Sequence, residues 1–140
     1  MRSLFPDRRT AHALAERGVA MIEFAIASGV MVVMVLGILS YGEVLANYIQ
    51  LKYAVGELSR QIAVGEDATE RAERFTAAQT EVITNSGFSA NCVTFTPTGY
   101  TGTVTVTGLY LLDQEGCRTM PSLFLPMPSN LEAKNTFTVQ

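Results

Sequence analysis

The sequence predicts an α+β chain. A long N-terminal, transmembrane α-helix continues into a soluble half. A second short helix and a small C-terminal antiparallel β-sheet follow. Three observations carry this. Apolar residues make up 48% of the 140-residue chain, and they concentrate in the run from Val19 to Leu39, where Glu23 is the only charge. Proline is absent between Pro6 and Pro97, so nothing in residues 7–96 forbids helix on that ground. After residue 90 the texture becomes β-branched and aromatic, as strands require.

Each element follows in order. Residues 1–18 form a hydrophilic leader. Residues 19–40 form the membrane half of the helix, since about 20 apolar residues rising about 1.5 Å each cross about 30 Å of hydrocarbon. Residues 41–66 form its soluble half. There Val44, Tyr48, Leu51, Val55, Leu58 and Ile62 recur at spacings of 4, 3, 4, 3 and 4, a narrow seam at helical period. Such a seam fits a neighbouring helix or the protein's own globular domain, and the pattern does not separate the two. Gly65 ends this helix, so that it runs from about Val19 to about Gly65. Residues 67–87 are a second helix, with Asp67 or Thr69 as its N-cap and a weak apolar face of Ala72, Phe75, Ala78, Val82 and Ile83. Asn85, Ser86 and Gly87 are its stop signal.

Residues 88–140 are a small β-rich domain. "CVTFT" (92–96), "TVTVTGLYLL" (103–112) and "NTFTVQ" (135–140) read as strands, with "PTGYTG" a turn-rich connector and "RTMPSLFLPMPSN" (118–130) an ordered loop. Fifty residues supply little core, so packing onto the long helix and a covalent staple are both expected.

Charge sets the topology. The leader carries a balance of +2 and the remainder −5, within a net charge of −3. The positive-inside rule then places the N-terminus in the cytoplasm and the C-terminal domain across the membrane. Cys92 and Cys117, both in the exported part, are expected to form a disulfide. The closed loop stabilises by about 3 kcal/mol in the chain-entropy account. An acidic body without basic clusters argues against nucleic acid.

Catalytic chemistry is missing from the pattern. The only histidine, His12, lies in the leader, which leaves the exported part without a His-based triad or a Cys/His zinc site. "GEDATE" lacks the glycine spacing and lysine of a phosphate loop. "EDATERAE" (66–73) lacks the alternating Asp/Asn and central Gly of a calcium loop and reads as a solvated helix face. No enzyme, cofactor or metal is expected.

Glu23 is the anomaly, because a carboxylate within a span costs about 2.5–3.5 kcal/mol on insertion scales. Its position explains it. The basic leader ends in Gly18, the apolar helix begins at Val19, and Glu23 and Phe24 are then the fifth and sixth residues. This junction resembles the processing site of type IV prepilins, cut by prepilin peptidase between Gly18 and Val19. Cleavage makes Val19 a free α-amine, positive at neutral pH. Glu23 lies one helical turn away on the same face and suits the positive helix end. It can pair with that amine, or with the amine of an adjacent subunit, and so set register.

Residues 17–66 are similar to the TadE-like minor pseudopilins of the tight-adherence (Tad/Flp) pilus systems: Gly18, Glu23, Phe24, Gly42, Arg60 and Gly65 fit that form. Many members carry a proline within the span, and "AIASGVMVV" has none. The resemblance implies a pilin-like structural protein of the bacterial inner membrane, single-pass, with its C-terminal domain in the periplasm. It also implies as partners the prepilin peptidase, other pilins or pseudopilins and the inner-membrane assembly platform, with possible entry into the extracellular pilus. Three rivals stand beside it. The run is an uncleaved signal anchor, or a signal peptide cut after "SYG" (40–42) before Glu43. The whole is otherwise an anchored or secreted β-rich adhesion domain.

Overall fold

The computed structural model describes residues 8–119 and 126–139, with side chains from Gly18 onward. Its elements are α1 (Arg8–Val64), α2 (Ala68–Ser86), β1 (Val93–Pro97), β2 (Gly102–Leu111) and β3 (Asn130–Val139). The chain divides into two compact units, one up to Leu39 and one from Ser40 onward. The fold is the α+β arrangement expected.

In the first unit, α1 begins at Arg8 and not at Val19. "RRTAHALAERG" is rich in Ala, Leu, Glu and Arg, all good helix formers, and one interior glycine costs only about 1 kcal/mol. Gly18 therefore sits inside a helix. From Gly18 to Leu39 nearly every residue is exposed, including Met21 at 76% and Phe24 at 74%. A helix apolar all round with no protein against it is what a bilayer accommodates. Ser28 satisfies its hydroxyl by donating to the Ala25 carbonyl at 3.0 Å.

The second unit is a sheet covered by helix. The three strands are antiparallel in the order β1-β2-β3. Val93 opposes Tyr110, and Gly102 opposes Val139. Alternation sends Val93, Phe95, Val104, Val106, Tyr110 and Ala133 into the core and leaves a threonine-rich outer face. β3 starts at Asn130, five residues earlier than expected. "NLEAK" has weak strand propensity, but pairing with β2 along ten positions overrides it. Of the expected loop 118–130, residues 120–125 lie outside the described residues, as does Gln140.

α2 is capped by Asp67, whose carboxylate accepts from the Glu70 N–H at 2.8 Å, and it ends at Gly87, with φ +72°. Phe75 and Ala78 are buried from the expected face, and Val82 and Ile83 pack partly against the core.

Candidate functional site

Val19, Glu23 and Phe24 lie on exposed helix within α1, one residue past Gly18 and onward. Four residues of unbroken helix put Val19 and Glu23 on one face, about 6 Å apart along the axis. Among the described residues Glu23 has no hydrogen-bond or ion-pair partner. The α-amine that would pair with it exists only after a cut at Gly18.

The seam takes the second of its two possible partners. Leu51, Val55, Leu58 and Ile62 are 0–1% exposed, packed into the core of this chain's own domain. Val44 packs against that core from a half-buried position, and Tyr48 is half-buried. A 4-3-4-3 row is equally suited to a helix or to the inner face of a sheet, and the sheet supplies the nearer apolar surface.

Close approach of α1 to the sheet depends on Gly108 in β2. A Cβ there would fall 2.6 Å from Val55 Cγ2 and 3.0 Å from Leu51 Cδ1. Any side chain at this position would push the helix off the strand. Two further ties join α1 to the segment around the disulfide. Glu43 Oε1 accepts from both the Thr119 N–H and its hydroxyl, each at 2.7 Å. The Tyr41 hydroxyl donates to the Pro126 carbonyl at 3.2 Å. Cys92 and Cys117 are joined, as the sequence predicts, with Cα atoms 5.4 Å apart. The Tyr110 hydroxyl donates to the Cys117 carbonyl at 2.7 Å. Burial, with the Glu43 charge nearby, raises the Tyr110 pKa above its ordinary value.

Arg71 carries a role that composition concealed. It lies in "EDATERAE", read above as a solvated face, yet it is buried. Its guanidinium donates to the carbonyls of Gly65 at 2.9 Å, Tyr100 at 3.0 Å and Glu66 at 3.3 Å. It thereby ties the end of α1, the start of α2 and the β1–β2 connection together. Gly65 is required beside it, since a Cβ there would come within 2.6 Å of Arg71 Cγ. Of the other charges in that stretch, Glu70 pairs with Arg74 on the surface of α2; on α1, Glu57 pairs with Arg60. The Glu66 N–H and then Arg74 hold the Glu70 carboxyl below its ordinary range, and Arg60 and Gln61 do the same for Glu57.

An open groove of about 660 Å³ runs between α1 and α2, lined by Tyr53, Glu57, Arg60, Glu81 and Asn85 among others. It holds no nucleophile–base pair of the kind that covalent catalysis needs. Among the described residues no three His, Cys, Asp or Glu side chains gather as metal ligands would.

Comparison with known proteins gives one match. The family model of TadE-like proteins matches residues 18–60, about a third of the chain, beginning at Gly18. No curated protein and no solved structure matches the chain. Residues 18–60 are thus similar to TadE-like proteins, consistent with a TadE-like protein of the Tad pilus system, and α1 is long and apolar enough to cross a membrane once.

Proposed function

From this TadE-like, pilus-associated helix we propose a minor pseudopilin of a Tad-type pilus. Prepilin peptidase cuts between Gly18 and Val19, and the mature helix remains in the inner membrane until assembly. Glu23 then pairs with the new Val19 amine of its own chain or of a neighbour. A subunit at the wrong axial offset leaves that carboxylate unpaired in an apolar surround, which costs several kcal/mol. Phe24 completes the junction motif. The N-terminus faces the cytoplasm and the sheet domain faces the periplasm or the fibre surface. The protein works by packing and carries out no reaction itself.

The observation that carries this reading is the Gly18–Val19–Glu23 spacing at the start of the TadE-like match. Support also comes from the helix passing unbroken through Ser40–Val44, with Tyr41 and Glu43 both tied to the sheet domain. Cutting before Glu43 would remove the Tyr41 tie to the Pro126 carbonyl. The test is the mature N-terminus of the protein from its native host. Val19 is expected; Met1 or Glu43 in its place contradicts the proposal.

A further inference from the structure

The core seam uses one side of the soluble half of α1, and the opposite side is left apolar and bare. Gly42, Leu45, Ala46, Ile49 and Tyr53 line it, with the half-buried Gly56 at its end. Leu45 is 57%, Ile49 46% and Tyr53 76% exposed, a high value for side chains this large in a folded domain. Positions 42, 46, 49, 53 and 56 recur at spacings of 4, 3, 4 and 3, the a/d pattern of a helix pair, while the buried Leu51, Val55 and Leu58 occupy c and f positions on the far side. A Cβ added at Gly42 or Gly56 would meet open space, so these glycines are not explained by packing among the described residues. They let another backbone approach, as small residues do between membrane-anchored helices.

We propose that this face docks the same face of a second copy of the chain, side by side and parallel. The charges select that occupant. Lys52 falls at a g position and Glu57 at the following e position, the five-residue offset at which parallel helices of identical sequence exchange ion pairs. Each Lys52 ammonium reaches the partner's carboxylate across the seam, twice per pair by symmetry. In the single chain Lys52 rests over the Tyr48 ring, 5.2 Å from its centroid, and Glu57 is held by Arg60 at 2.7 Å on an exposed surface. Both charges therefore stand beside the bare face without being buried. This inference rests on the membrane insertion of the proposed function, which makes neighbouring helices parallel, and not on the cut at Gly18.

The test uses the full chain in its own membrane. Ile49→Cys and Ala46→Cys variants are treated with a short bis-maleimide, with Thr96→Cys on the exposed outer face of β1 as reference. A covalent dimer of twice the chain mass is expected, about tenfold above the reference, because docking raises the local concentration. Adding Lys52→Glu lowers the Ile49→Cys yield about fivefold, and the Lys52→Glu/Glu57→Lys pair restores it. Dimer at the Thr96 level, or adducts only with a chain of different mass, overturns the inference. A Val19 N-terminus together with dimer at the reference level removes this inference alone. A retained Met1 with a strong Ile49 dimer removes the processing reading alone.

Discussion

Residues 18–39 and residues 40–64 belong to one helix and both carry many apolar side chains, the first more densely, yet they differ in what covers them. In the first stretch nearly every residue is exposed on all sides. In the second, Leu51, Val55, Leu58 and Ile62 are sealed against the sheet while Leu45, Ile49 and Tyr53 stay bare. Helix formation is thus the common property, and the surrounding phase is the variable. The first stretch suits a bilayer or other helices, because nothing among the described residues covers it. The second carries its own partner, a sheet too small to stand without it.

Substitutions break that contrast at measurable sites. Leu58→Ala removes a side chain at 0% exposure and is expected to cost about 2–5 kcal/mol of domain stability in urea unfolding. The same change at Leu36, which is 39% exposed in the apolar run, should leave the domain within about 0.5 kcal/mol of the parent. Equal losses at both sites would show that the helix folds as one cooperative block. Opening the Cys92–Cys117 bridge comes next, at about 3 kcal/mol by loop entropy, read as a lower unfolding midpoint under reducing conditions.

Arg71→Met leaves the carbonyls of Gly65, Tyr100 and Glu66 without this donor, and about 2–3 kcal/mol is expected from the unfolding curve. Gly108→Ala drives a methyl into Val55 and Leu51, and should cost about 1–3 kcal/mol by overpacking. Pairing it with Val55→Ala should recover part of that loss, whereas pairing it with Leu36→Ala should recover none. The smallest effect is electrostatic. Glu70 and Glu57 have folded-state pKa values below the ordinary 4.5, so their contribution is complete above that pH and lost as pH falls through the lower folded values. Glu70→Gln should flatten the acid limb of a stability–pH curve; an unchanged limb would remove Glu70 from the account.

Some of this was legible beforehand. The helix period of the seam, the Asp67 cap, the Gly87 stop and the cysteine pairing are local or compositional signals, and each survives in the fold. The identity of the seam's partner was not legible, because a 4-3-4-3 row records only that one side of a helix is covered. Arg71 was hidden among carboxylates, where charge composition implies solvent. Its burial arises from three carbonyls brought together by chain reversals at Gly65 and Tyr100. Gly108 did leave a signal, a lone glycine inside a β-branched run, which marks close backbone approach. The early start of β3 comes from a ten-residue register with β2, a long-range property that "NLEAK" does not express. At the junction the spacing from Gly18 to Glu23 was wholly a sequence feature, and the structure adds that both lie on continuous helix.

In the proposed processing, the apolar half of α1 starts at Val19, where a new amine meets Glu23. Intact-mass and N-terminal peptide measurement of the protein from native membranes tests it most directly. A chain beginning at Val19 and lacking residues 1–18 is expected. A chain that keeps Met1, or that begins at Glu43, would contradict it.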